Sequence, residues 1–183
     1  TYKEGLGLIN GTQLMVGQMC LLLEDARDLI KNAIISSAMS LDALNSVQKP
    51  FDERIHALRP YHGQVTVARY LRRLMEDSEI LKHPTGKVQD GYSMRCTPQV
   101  LGPSIDTWHF ARNIIETELN AVVDNPIFFP DDMDHIGAGN FHSSAVNAST
   151  VPSPKPSREL SPLTTERPRS PWAMRSPNMV PLA

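Results

Sequence analysis

The stretch LMVGQMCLLLEDARDLIKNAIISSAMSLDALN, residues 14–45, is dominated by Leu, Met, Ala and Ile, holds no Pro, and contains one glycine, Gly17. Leu, Met and Ala are good helix formers, and one interior Gly costs only about 1 kcal/mol, so the stretch predicts a single long helix. Such a helix, roughly 48 Å long at 1.5 Å per residue, needs other long helices to cover it, which sets the class as an all-α bundle. The uncharged run from Gly5 to Leu23 approaches the length of a membrane span. However, Asn10, Thr12, Gln13, Gln18 and four glycines would place polar and poorly packing groups in hydrocarbon. A buried bundle helix is therefore read there, and no membrane partner.

Outward from this helix the punctuation is regular. Lys49-Pro50 closes it, Phe51 to Leu58 suits a short helix, and Arg59-Pro60 ends that one. Gln64 to Leu81 sets Val67, Tyr70, Leu71 and Leu74 against Arg and Glu on the other side, an amphipathic pattern. Lys82 to Pro98 reads as a loop marked by His83-Pro84, Gly86 and Gly91, yet it holds Tyr92, Met94 and Cys96, and such loops carry function. A last helix is expected from Ser104 to Val123, with Ile105, Trp108, Ile114, Ile115 and Leu119 near helical spacing and Asp124-Asn125-Pro126 as its stop. No strand pattern of any length competes.

Composition changes after His142, which divides the chain into a helical core, residues 1–142, and a Pro-, Ser- and Arg-rich tail, residues 143–183. The tail has only scattered apolar residues such as Leu160, Trp172 and Met179 and is expected to be disordered. A genuine linker and an out-of-frame translation both account for it. The opening Thr-Tyr-Lys-Glu-Gly has neither an initiator Met nor a basic-then-apolar leader, so no secretory signal and a start in mid-protein are expected, and the two widely spaced cysteines fit a reducing cytoplasm.

Charge and cysteines narrow the partners. A formal net charge of -2 over 183 residues provides no basic field for nucleic acid. Cys20 and Cys96 lie far apart and fit neither a disulfide framework nor a zinc site. Asp131, Asp132, Asp134 and His135 lack the ligand spacing and turn glycine of a calcium loop, so a solvated loop is read and no metal is expected.

Three segments remain: Lys3-Glu4-Gly5-Leu6-Gly7-Leu8-Ile9-Asn10-Gly11-Thr12-Gln13; Val88-Gln89-Asp90-Gly91-Tyr92-Ser93-Met94-Arg95-Cys96-Thr97-Pro98-Gln99; and Asn120 to Pro126 with Gly139-Asn140-Phe141-His142. In isolation Asn10-Gly11-Thr12 is a polar cap before a helix, Tyr92 a packed tyrosine and Arg95 a solvated arginine. Three residues apart, Tyr92 and Arg95 converge if their loop takes a helical turn. In this order and spacing the three segments resemble the aromatic amino acid ammonia-lyases, the family of histidine, phenylalanine and tyrosine ammonia-lyases and related aminomutases, and the likeness runs over residues 1–142.

The chemistry explains why these residue types matter. Eliminating ammonia from an α-amino acid requires an anchor for the carboxylate, a way to make the amine a leaving group, and a base for a weakly acidic β-hydrogen. An arginine fork suits the carboxylate because it gives bidentate, charge-assisted hydrogen bonds, which makes Arg95 the candidate. A phenol beside the amine can accept or relay its proton if the site lowers the phenol's pKa, the role read for Tyr92.

The resemblance implies the rest. Its electrophile is 4-methylidene-imidazole-5-one, formed autocatalytically from an internal Ala-Ser-Gly, and no such triplet occurs in these 183 residues. It implies no dissociable cofactor and no metal. Gln89 and Phe141 are expected near that group, Asn10 beside it or the substrate, and Asn125 assisting Arg95 with the carboxylate. The implied substrate is an aromatic amino acid, L-histidine first, giving urocanate; Gln13 after Asn-Gly-Thr points that way, whereas Gly91 stands where histidine-specific members often carry Pro. Phenylalanine or tyrosine ammonia-lyase or aminomutase is the alternative, and a noncatalytic helical interaction module, with Ser153-Pro154-Lys155-Pro156 as ligand, is the reading from another class. The family also implies a homotetramer with active sites shared between subunits. These residues alone, without the triplet, are expected to be inactive. His142, after Phe141, is read as structural.

Overall fold

The computed structural model of the chain describes residues 3–150. In chain order it forms α1 (Glu4–Ile9), α2 (Gln13–Ala43), α3 (Glu53–Ala57), α4 (His62–Leu74), α5 (Tyr92–Arg95), α6 (Thr97–Leu119), the short strands β1 (Ile127–Phe129) and β2 (Asp134–Ile136), and α7 (Ser144–Thr150). Single 3-10 turns occupy Lys49–Phe51, Ile80–Lys82 and Pro130–Asp132. The all-α reading holds, with one addition: β1 and β2 pair antiparallel, Phe128 opposite His135.

Two long helices, α2 and α6, run antiparallel and organise the rest. At one end the Thr12 hydroxyl donates to Glu118 Oε1 at 2.7 Å, and in the middle Trp108 Nε1 donates to the Leu23 carbonyl at 2.7 Å. At the other end Ile34, Ala38 and Leu41 of α2 pack with Ile105 of α6 around Phe51, Val67, Leu71 and Met75. Val16 and Met19 form a second core with Ile115 and Val146 near the Thr12 end. α4 lies across α6, where Asp106 Oδ1 accepts the Gly63 N–H at 2.7 Å.

Beneath α3 sits a buried polar chain. His56 is 1% exposed; its Nε2 is 3.1 Å from the Pro50 carbonyl and its Nδ1 3.0 Å from Gln64 Nε2, while Gln64 Oε1 accepts from Arg59 at 3.0 Å. These partners set the neutral tautomer: Nε2 donates and Nδ1 accepts. Burial, first among the causes, holds the ring's pKa below its ordinary value.

Four expectations are corrected. The amphipathic helix ends at Leu74, not Leu81, because Ser78 turns the chain: its hydroxyl bonds Asp42 and accepts the Leu81 N–H. The last helix begins at Thr97 rather than Ser104, with Pro98 in its first turn and Pro103 accommodated inside it, and it ends at Leu119 rather than Val123. The loop from Lys82 to Pro98 contains the α5 turn. The tail does not begin at Ser143: Ser144–Thr150 is helical, and Val146 is fully buried against α2 and α6. The remaining expected tail, residues 151–183, lies outside the described residues.

The uncharged N-terminal run is broken at Asn10-Gly11-Thr12 between α1 and α2, and among the described residues no helix is long and apolar enough to cross a membrane.

Candidate active site

The Tyr92–Arg95 turn is built by its flanks. The Gly91 carbonyl accepts the N–H groups of Met94 and Arg95, each at 3.1 Å, and Tyr92 O accepts that of Cys96 at 3.0 Å. The preceding residue, Asp90, ties the loop to the end of α2, accepting the Val47 N–H at 2.6 Å and facing Lys87 at 3.3 Å. Lys87 Nζ in turn donates to the Leu44 carbonyl at 2.9 Å, where a cation suits the negative end of α2.

This turn brings Tyr92 and Arg95 together. The guanidinium carbon lies 4.6 Å from the Tyr92 ring centroid, a cation–π distance. Nη1 of Arg95 donates to Gln89 Oε1 at 2.6 Å, so three of the expected site residues form one contiguous group. Tyr92 and Gln89 are exposed and Arg95 is half-buried. The acceptor on the fork is a neutral amide, and a carboxylate makes a stronger, charge-assisted replacement.

The other expected residues stand elsewhere. Asn125 follows α6, joined to Pro126 by a cis peptide; its Oδ1 accepts the Ala138 N–H at 2.9 Å. Beside it Lys3 Nζ donates to Asp124 Oδ2 at 2.7 Å and to the Pro126 carbonyl at 3.2 Å, and that Lys3 hydrogen bond is the main cause holding the Asp124 carboxyl below its ordinary range. Asn10 ends α1, next to the Thr12–Glu118 bond; its side chain is half-buried and has no hydrogen-bond partner among the described residues. Phe141 is half-buried and follows Asn140, whose Nδ2 donates to the Val122 carbonyl at 3.1 Å.

Asn10, Asn125 and Phe141 thus cluster near the C-terminal end of α6, and Gln89, Tyr92 and Arg95 precede its N-terminal end. The helix between them, Thr97–Leu119, is roughly 34 Å long at 1.5 Å per residue. One amino acid substrate cannot touch both groups within a single copy of the chain.

Other candidates do not join either group. Asp131, Asp132, Asp134 and His135 are exposed on the hairpin, with His135 stacked on Phe128 at 5.9 Å, and among the described residues no three potential ligands are placed to hold a metal. His142 is exposed, with Nδ1 2.9 Å from the Ser144 hydroxyl. Sequence reasoning passed over Lys3, Glu118 and Gln99. The first two become relevant only through contacts across more than a hundred residues, which spacing does not reveal; Gln99 lies one helical turn beyond Arg95 and was within reach of periodicity.

Comparison with known proteins identifies the family of this helical scaffold. The family profile described as aromatic amino acid lyase matches residues 1–150. Histidine ammonia-lyase 2 of Fusobacterium nucleatum is 44% identical over 146 residues, 79% of this chain and 29% of that protein. The structure of histidine ammonia-lyase from Trypanosoma cruzi superposes with a TM-score of 0.70 at 36% identity, over 80% of this chain and 27% of that one. Phenylalanine aminomutase of Pantoea agglomerans gives a TM-score of 0.73 at 32% identity, over 81% of this chain and 33% of that one. The chain therefore spans about 30% of the length of its relatives. With the motifs, the helical scaffold and the profile agreeing over the described core, the chain belongs to the aromatic amino acid lyase family.

Proposed function

We propose that the protein carrying these residues eliminates ammonia from an aromatic α-amino acid, and that the substrate is L-histidine, released as urocanate. The observation that carries this reading is the Tyr92–Arg95 pair: a cation fork and a phenol on one helical turn, with the fork resting on a displaceable neutral acceptor, Gln89. Arg95 binds the substrate carboxylate, with Asn125 assisting, and Tyr92 relays the proton that the ammonium must lose, its Oη passing the phenolic proton to solvent at this exposed position as it takes up the one from the amine. Phe141 packs beside the ring and excludes water.

The family uses a methylidene-imidazolone prosthetic group. When present, it supplies the electrophile that converts the amine into a leaving group. The residues at hand suit its carbonyl-bearing ring: Asn10 offers a half-buried carboxamide whose donors and acceptor are uncommitted among the described residues, and Gln89 keeps its amide N–H groups after accepting from Arg95. Asn10 and Gln89 would hold the group. These 183 residues contain no Ala-Ser-Gly, so its source is placed in other residues of the protein.

The separation of the two residue groups by the length of α6 supports sites shared between chains, and we assign a homotetramer located in the cytoplasm. Gly91 and the similarity to an aminomutase support a second reading, a phenylalanine or tyrosine lyase or aminomutase. The test is turnover by the full-length protein of L-histidine, L-phenylalanine and L-tyrosine. Urocanate as the principal product supports the first reading; cinnamate, coumarate or a β-amino acid transfers the assignment to the second; no turnover of any of the three sinks both and leaves the noncatalytic module.

A further inference from the structure

Gln99 lies four residues after Arg95 along an almost unbroken helix. Cys96 between α5 and α6 keeps near-helical angles (φ -94, ψ 10), its N–H bonds Tyr92 O at 3.0 Å, and its carbonyl accepts the Val100 N–H at 3.0 Å. Side chains at this spacing are neighbours on one helix face.

Both side chains are half-buried, and each carries a buried polar atom with no hydrogen-bond partner among the described residues: the Nε–H donor of Arg95 and the Oε1 acceptor of Gln99. The two orphans are complementary, one donor and one acceptor, a single turn apart. Buried polar groups left unpaired are uncommon and unfavourable, so a rotation that pairs them is favoured once nothing holds the guanidinium elsewhere. What holds it is visible: Nη1 is bonded to Gln89 Oε1 at 2.6 Å, with the guanidinium 4.6 Å from the Tyr92 ring centroid.

We propose that Gln99 is a positioning residue for Arg95. A substrate carboxylate takes the Nη edge in place of Gln89, the guanidinium turns, and its Nε–H donates to Gln99 Oε1. The fork then presents Nη1 and Nη2 to the carboxylate while the protein occupies Nε, which fixes one of the two edges an arginine can offer. No proton is transferred and no bond is broken beyond exchanged hydrogen bonds. The inference rests on the ammonia-lyase reading, and it makes Gln99 a determinant of carboxylate affinity without contact to the substrate.

The test uses the full-length protein and the variants Gln99→Met, similar in length without an amide acceptor, and Gln99→Glu, which restores one. KM for L-histidine is measured with kcat, together with inhibition by imidazolepropionate, which keeps the carboxylate, and by histamine, which lacks it. Gln99→Met is expected to raise KM and weaken imidazolepropionate about tenfold or more, to leave histamine within about twofold, and to be rescued by Gln99→Glu. An unchanged KM in Gln99→Met, equal losses for both inhibitors, or failure of Gln99→Glu to rescue overturns the proposal. Wild-type protein that turns over no aromatic amino acid removes the lyase reading and this inference with it; normal wild-type turnover with an unaffected Gln99→Met removes the inference alone.

Discussion

Gly63 of α4 and Gly102 of α6 meet backbone to backbone: a methyl at 63 would stand 2.0 Å from the Gly102 carbonyl oxygen, and one at 102 would stand 2.5 Å from the Gln64 nitrogen. Neither obstacle is a flexible side chain that can swing away. Gly63→Ala or Gly102→Ala must separate the two helices and is expected to cost about 3 kcal/mol, the upper end for overpacking. Gly17, exposed in α2 with nothing within 4 Å, is the control, and Gly17→Ala is expected to stabilise by about 0.5–1 kcal/mol. Denaturation midpoints decide; a Gly102→Ala protein as stable as wild type contradicts the crossing.

His56 makes stability depend on pH. Burial keeps its folded pKa below the ordinary value, whereas the unfolded chain takes up the proton near about pH 6.5. Below that value the unfolded state binds more protons, so the contribution is fully present above about pH 6.5 and is lost as pH falls towards the folded pKa. Protonation also sets a second donor against Gln64 Nε2, and Gln64 cannot turn its oxygen to His56 without releasing Arg59. Thermal midpoints between about pH 8 and pH 5 should fall more steeply for wild type than for His56→Gln. Parallel curves would contradict this account of His56.

Much of this architecture was readable in order, less of it in extent. The long helix was expected over Leu14 to Asn45 and spans Gln13–Ala43, because an unbroken apolar run without Pro has no competing structure. The helical turn joining Tyr92 to Arg95 was legible as a condition and is met. The start of α6 lies seven residues before the expected Ser104, because Pro98 suits the first turn and the helix runs on through Pro103 in its interior. Val146 was hidden in polar surroundings: one buried apolar residue at a helix end leaves no periodic trace. The separation of the proposed site residues into two groups at opposite ends of α6 was invisible, because spacing along a chain does not give direction in space.

α2 leaves much of its apolar surface bare. Leu14, Leu21, Leu29 and Met39 are each at least 66% exposed. A patch of this kind marks an interface or an aggregation risk. The 183-residue chain expressed by itself is expected to self-associate, and light scattering after gel filtration checks it. A monodisperse monomer that unfolds cooperatively would count against the reading of these faces as covered in the assembled protein.

The central claim is that Asn10 and Arg95, set at opposite ends of α6 in one chain, serve a single elimination site formed between chains. The most direct measurement co-expresses two full-length variants, Asn10→Ala and Arg95→Ala, each expected to be nearly inactive when made alone. If each site takes Asn10 from one chain and Arg95 from another, mixed oligomers should recover up to about a quarter of the wild-type sites and the ammonia-lyase activity that goes with them. Mixed oligomers with no more activity than the separate variants would contradict the claim.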